Sequence, residues 1–313
     1  MKAIVIKAAG GIENLFYTDI PIPAISKGEV LVKVKAISIN PVDVKTRSVD
    51  DLFSGLLGDA DPKILGWDIS GIITEIDTDV TAFKISDEVF GMVNFPGHGK
   101  AYAEYVAVPV SQLALKPSNI SHEEAAASTL AALAAWQALV TNAKIKAGDK
   151  VLIHAAAGGV GHYAVQFAKN IGAHIIATGS SKNREFILSL GADKFIDYEI
   201  TKFEEVVSKL DFVFDTLGGD IYDRSLFSLK KDGLIISLHP ISEEQAGKTK
   251  FHRLNGYSIV VTSNGADMAE IAKLLLQKKV IPHISFSFPF EQMAAAHVQI
   301  ETGRTKGKVV VTL

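Results

Sequence analysis

The chain has 313 residues, 48% hydrophobic and 21% charged, with a formal net charge of -3, which suits a globular protein with a sizeable buried core. It contains no cysteine, which excludes disulfides and thiolate metal sites, and no run of about eighteen apolar residues that would read as a membrane span. The charge balance leaves no broad basic surface, so nucleic acid is not the expected partner; Met1 to Lys7 alternates too briefly for a signal peptide, and a cytoplasmic location is expected.

Residues 1 to about 120 read as mostly β. Lys2 to Lys7, Glu29 to Ala36, Ser70 to Ile76, Asp87 to Val93 and Ala103 to Val108 are β-branched runs separated by turn signals such as Gly10-Gly11 and Lys27-Gly28. Short strands without long helices predict a compact barrel-like domain. Two stretches rich in polar and aromatic residues, Ile39 to Asp43 and Ile64 to Asp68, read as loops able to carry a site. From Ser121 the composition changes: a hydroxyl followed by Glu123 and Glu124 suits a helix start, and Ala125 to Ala138 favours helix strongly.

Lys150 to Lys169 then reads as strand, tight turn and helix. Val151 to His154 enters Ala155 to Gly161, a cluster of small residues, and Val160, Ala164, Phe167 and Ala168 follow at helical spacing. Small residues let a turn backbone approach a ligand phosphate, whose charge sits on free N–H groups at the helix start. Strand and helix patterns alternate afterwards: Ile175 to Thr178, a helix from Asn183 to Leu190, Lys194 to Asp197, a helix near Phe203 to Leu210, Phe212 to Asp215, a helix near Tyr222 to Leu229, Leu234 to Ser237, and a last strand near Ser258 to Thr262. Apolar strands separated by helices predict a doubly wound parallel sheet, and such sheets bind nucleotides at the turn after the first strand. The tail returns to β at Lys308 to Thr312, after a helix at Phe290 to Glu301, and is expected to fold back on the N-terminal domain. The expected domains are therefore 1–122 with 267–313, and 123–266.

The second strand of this sheet decides the cofactor. An acid there usually binds the ribose 2′-hydroxyl of NAD. Here the strand ends Thr178-Gly179-Ser180-Ser181-Lys182-Asn183-Arg184, and no acid occurs before Glu185. Two hydroxyls and two cations suit a 2′-phosphate instead.

The order of motifs resembles the zinc-independent quinone oxidoreductases of the medium-chain dehydrogenase/reductase superfamily, across essentially the whole chain. The residues that carry it include Asn40-Pro41-Val42-Asp43, Gly66-Trp67-Asp68-Ile69-Ser70-Gly71, Ala135-Trp136-Gln137-Ala138-Leu139, Ala155 to Gly161, Leu190-Gly191-Ala192-Asp193, Phe214 to Gly219 and Gly303 to Lys308. The resemblance implies an α/β architecture, a GroES-like β-barrel domain interrupted by a Rossmann domain. Zinc-dependent relatives place a cysteine where this chain has Asn40 and Gly-His-Glu where it has Gly66-Trp67-Asp68, so no metal is expected; His98 and His122 are not paired as substitute ligands.

Without a Lewis acid, electron-poor acceptors remain, and the expected reaction is NADPH-dependent reduction of a quinone or an α,β-unsaturated carbonyl. Alternatives are an enoyl-thioester reductase of the same superfamily and a non-enzymatic nucleotide- or RNA-binding, crystallin-like protein, for which Lys248, Lys250 and Arg253 form the candidate basic patch. In the turn, Ala157, Gly158, Gly159 and Val160 are expected at the pyrophosphate, and Ser180, Ser181 and Lys182 at the 2′-phosphate. The resemblance implies Tyr198 beside the adenosine phosphate, Thr216 and His239 along the cofactor, and Asn40 at the nicotinamide end with Lys45 as a further candidate. It also implies a homodimer through the last strand of the sheet. No general acid stands out; solvent or His98 is the candidate proton source.

The acid-free strand end makes NADPH bind more tightly than NADH by one to two orders of magnitude, because each charge-assisted hydrogen bond contributes about 1.5 to 3 kcal/mol. Dissociation constants for the two cofactors check this; equal affinity or a preference for NADH contradicts it.

Overall fold

The structure, a computed structural model, describes residues 1–313 and divides into two compact units, residues 1–133 with 261–313 and residues 134–260. The second junction falls earlier than the sequence suggests because residues from Val261 onward are tied to the first unit. Phe95 N–H donates to Ser263 Oγ at 2.9 Å, Ser263 N–H donates to Phe95 O at 3.0 Å, and a Cβ at Gly265 would stand 2.6 Å from Ser111 O. No helix is long and apolar enough to cross a membrane.

The first unit holds a three-stranded sheet and a seven-stranded one. The long strand Glu29–Ile39 is central: it pairs antiparallel with Asp68–Ile76, with Tyr105–Pro109 and with the C-terminal strand Lys308–Thr312. The tail therefore does return to this unit, and it brings with it a strand the residue pattern does not announce, Ile284–Pro289, parallel to Lys308–Thr312. Val30, Val32, Val34, Ile37 and Ile39 are buried with Ile69, Ile73, Val309 and Val311 in one core.

Two expectations for this unit change. The stretch after Ile39 is the start of a helix, Pro41–Ser48, followed by a second helix, Asp50–Leu57. Pro41 suits the first helical position, where its missing N–H is not needed, and the Asp43 carboxylate accepts from Asn40 N–H at 2.7 Å, reading as an N-terminal cap. The alanine-rich helix is broken in two, His122–Ala127 and Leu130–Trp136. The hydroxyls of Ser128 and Thr129 donate back to Glu124 O at 2.8 Å and Ala126 O at 2.7 Å, the side-chain competition that disfavours these residues inside helices. A π-helical segment, Gln137–Asn142, follows.

The second unit is a parallel sheet of β1 (Lys150–Ile153), β2 (His174–Gly179), β3 (Lys194–Asp197), β4 (Leu210–Asp215), β5 (Leu229–Ser237) and β6 (Asn255–Ser258), in the order β3-β2-β1-β4-β5-β6. The chain winds outward in both directions from β1 and β4, so a crevice opens at their carboxyl ends. Leu152, Ile176, Val213 and Ile235 are buried in this unit's core. The last strand lies earlier than Ser258 to Thr262: Ser237 pairs with Ser258, and β5 ends there, so the ladder has no partner beyond it. The helix expected to reach Leu210 stops at Val206, because β-branched Val207 is already extended (φ -132°, ψ 135°), and Lys209, with a positive φ of 58°, then turns the chain into β4.

Candidate functional site

The turn after β1 is held from three sides. Ala156 N–H donates to Thr178 O at 3.0 Å, Gly158 N–H to Ala155 O at 2.8 Å and His162 N–H to Gly158 O at 3.1 Å. The helix α1 (Gly161–Ile171) starts directly against the turn: a Cβ at Gly161 would collide with Ala155 O and lie 2.8 Å from Ala156 Cα. Glycine is required there by contact, not by backbone angle. Because the Gly158 N–H is turned inward, the donors left without a protein acceptor are those of Ala157 in the turn and of Gly159, Val160 and Gly161 at the positive end of an eleven-residue helix. Such an arrangement can hold an anion, at the place where the sheet's winding reverses.

The ends of β2 and β3 supply the neighbouring surface. Ser180 is 5% exposed and its Oγ accepts from Asn183 Nδ2 at 3.3 Å, while Ser181 and Lys182 are exposed. Arg184 lies over the Phe195 ring, 5.6 Å from its centroid. No carboxylate stands at the end of β2. Asp197, at the end of β3, accepts from Glu199 N–H at 3.0 Å, and Tyr198 beside it is exposed.

Asp215 organises the ends of β4 and β5. Its carboxylate accepts from Leu217 N–H at 2.9 Å, Gly218 N–H at 3.0 Å and Ser237 Oγ at 2.9 Å, which curls the Thr216 to Gly219 loop back over the strand. Thr216 Oγ1 donates to His154 O at 3.2 Å, and His239 Nε2 stands 3.2 Å from Thr216 O. The turn, the β2 end, Tyr198, Thr216 and His239 thus share the carboxyl edge of one sheet. Of the candidate basic patch, Lys248 is already paired with Asp223 at 2.9 Å and Glu244 at 2.8 Å.

Asn40, Lys45 and His98 belong to the first unit. Lys45 is exposed on the last turn of its helix. Asn40 is 2% exposed with both ends of its amide engaged: Nδ2 donates to Asp68 Oδ2 at 2.7 Å, and Oδ1 accepts from Lys308 Nζ. Lys308 Nζ also lies 3.8 Å from Asp68 and 3.4 Å from Ile39 O, and Asp68 Oδ1 accepts from Leu130 N–H at 2.9 Å. Burial pushes the Asp68 carboxyl up and the Lys308 ammonium down, and each charge offsets the other's shift. A divalent cation does not fit this donor set, since an ammonium already stands among the oxygens and no group of three or more His, Cys, Asp or Glu residues is placed to hold a metal. His98 Nε2 accepts from Ile64 N–H at 3.0 Å, and burial with Lys100 nearby lowers its pKa to about 4. His122 Nδ1 is 2.8 Å from Ser70 Oγ.

Sequence reasoning missed Lys308, His154 and Asp215 as members of these arrangements. A lysine opening the run Lys-Val-Val-Val-Thr reads as a solvated strand end, and nothing local marks it as buried.

Comparison with known proteins places this geometry. A family model described as zinc-binding dehydrogenase matches residues 190–311, and one described as alcohol dehydrogenase GroES-like domain matches residues 26–118. The chain is 34% identical to the NADPH-dependent alkenal/one oxidoreductase, chloroplastic, of Arabidopsis thaliana, over 99% of this chain and 79% of that protein. It is 30% identical to the chloroplastic quinone-oxidoreductase homolog of Spinacia oleracea, over 96% and 95%. Among solved structures, the quinone oxidoreductase from Coxiella burnetii superposes with a TM-score of 0.94 at 36% identity, covering 100% of this chain and 99% of that one. The Escherichia coli quinone oxidoreductase complexed with NADPH superposes at 0.88 with 25% identity, each chain covered in full at 100%.

The buried polar cluster has a pH signature. Asp43 is fully buried, its Oδ1 has no hydrogen-bond partner, and burial together with the Asp68 charge raises its pKa from 3.8 to about 7. Between those values the folded state keeps a proton that the unfolded state has released. Stability from this group is therefore complete below the lower value and is lost as pH rises, by up to roughly 1.4 kcal/mol per unit until about pH 7. Asp43→Asn removes this slope. Urea unfolding from about pH 4 to about pH 8 is expected to show the variant gaining on the wild type until about pH 7 and then running parallel; a pH-independent difference contradicts the assignment.

Proposed function

The chain belongs to the medium-chain dehydrogenase/reductase superfamily, among relatives named quinone and alkenal/one oxidoreductases, and we propose that it uses NADPH, without a metal, to reduce a quinone or an α,β-unsaturated carbonyl. The observation that carries this reading is the end of β2, where Ser180, Ser181 and Lys182 meet no carboxylate, next to a turn with open N–H donors. When bound, NADPH supplies a hydride, and an electron-poor acceptor takes it without a Lewis acid.

The residues divide the work. Ala157, Gly159 and Val160, with Gly161, hold the pyrophosphate on their N–H groups, while Gly158 braces the turn. Ser180, Ser181 and Lys182 take the 2′-phosphate. Tyr198, exposed at the end of β3, borders the adenosine, and Thr216 and His239 line the remaining sheet edge. Asn40 fixes the start of its helix through Asp68 and Lys308, and Lys45 adds an exposed positive charge. Neutral above about pH 4, His98 is not a protonated donor at neutral pH, so solvent supplies the proton that follows the hydride. The reading includes a cytoplasmic location and a homodimer formed along β6, whose outer edge has no strand neighbour and beside which Tyr257 and Val260 are exposed.

Steady-state oxidation of NADPH against quinones, enones and crotonyl-type thioesters tests the proposal. A quinone or enone is expected to exceed the thioesters by at least about tenfold in kcat/KM, roughly 1.4 kcal/mol in transition-state binding. Turnover of thioesters alone, or RNA binding in moderate salt with no oxidation of NADPH by any acceptor, contradicts it.

A further inference from the structure

His154 closes β1 and is 1% exposed, yet both ring nitrogens are engaged: Nδ1 lies 3.1 Å from Thr178 Oγ1 and Nε2 lies 3.0 Å from Ser225 Oγ. The Ser225 hydroxyl donates its hydrogen to Ile221 O at 2.7 Å, so toward His154 its oxygen can only accept. Nε2 therefore carries the ring proton. Burial lowers the His154 pKa to about 4, which keeps the ring neutral and leaves Nδ1 as an acceptor for the Thr178 hydroxyl. The result is one directional chain, Thr178 to His154 to Ser225 to the Ile221 carbonyl, with every member satisfied and the Phe203 ring packed edge-on 4.6 Å from the imidazole.

This chain crosses the site. His154 precedes the turn whose open N–H groups lie at Ala157 and at Gly159 to Gly161, and its partner Thr178 precedes Ser180 by two residues. A main-chain bond repeats the link, Ala156 N–H on Thr178 O at 3.0 Å, and the Thr216 hydroxyl ties the β4 loop to the same strand end by donating to His154 O at 3.2 Å. Ser225 ends the helix Asp220–Ser225 that follows the Thr216 to Gly219 loop.

We propose that His154 is a positioning residue for cofactor discrimination: it fixes the spacing between the pyrophosphate turn and the 2′-phosphate segment at the end of β2. The inference rests on the proposed NADPH function. A cofactor with two phosphate anchors must find both at one fixed separation, whereas NADH uses only the pyrophosphate anchor. Loosening the cross-brace therefore weakens NADPH more than NADH.

Dissociation constants for NADPH and NADH in four variants test this. His154→Phe keeps an aromatic ring without donor or acceptor, and Thr178→Val keeps the shape of threonine without its hydroxyl. Both are expected to weaken NADPH about tenfold and NADH by less than about threefold. His154→Gln, which retains one acceptor and one donor, and Thr178→Ser, which retains the hydroxyl, are expected to stay within about threefold of wild type for both. If His154→Phe does not fold, Thr178→Val carries the test. Equal weakening of the two cofactors, or an unchanged ratio, overturns the inference while leaving the function standing. A wild-type chain that binds neither cofactor, or prefers NADH, overturns the NADPH reading and this inference with it.

Discussion

One buried ammonium group organises the first unit. Lys308 is 3% exposed, and its Nζ meets the Asn40 amide, the Ile39 carbonyl and the Asp68 carboxylate. Through Asp68 it also reaches Leu130, the first residue of the helix along which the chain leaves this unit. Four segments distant in sequence are thus joined by groups that are costly to bury alone and acceptable together: losing one partner of such a pair typically costs about 3 to 5 kcal/mol. The C-terminal strand contributes this charge, which ties its antiparallel pairing with Glu29–Ile39 to the helix start at Asn40. A lysine charge among these oxygens also disfavours a divalent cation at this spot.

The second unit solves a different problem with small residues. Anion binding at the sheet's carboxyl edge needs a helix to begin almost in contact with the preceding turn, and Gly161 permits that approach. It also needs the edge to hold its shape without a ligand. Asp215 gathers the β4 loop, and the hydroxyl and imidazole chain through His154 spans the ends of β1 and β2. Buried hydrogen-bond networks that are fully satisfied rigidify their surroundings, so the edge of the sheet holds its shape.

Much of this was legible in the residues. Apolar runs alternating with helical patterns announced the parallel sheet, and the absence of an acid before Glu185 was readable directly. Local signals failed where tertiary pairing decided the outcome. Asn40-Pro41 looked like a loop, but proline at a first helical position opens a helix as readily as it ends one. Ser258 to Thr262 had the better β composition, yet the ladder runs over Asn255–Ser258, where β5 still offers a partner. Gly158 appeared to be a phosphate donor and proves to brace the turn. The burial of Lys308 and the engagement of both ends of Asn40 had no local mark, because they follow from joining residues 268 positions apart.

The account rests on hydride transfer that needs no metal, and metal content measured alongside activity tests it most directly. Purified protein would be treated exhaustively with a strong zinc chelator, its metal content determined, and its NADPH-dependent reduction of a quinone or enone compared with untreated protein. The account predicts undiminished turnover in protein carrying far less than one metal ion per chain. Stoichiometric zinc, with activity lost on its removal and restored on its return, would contradict it.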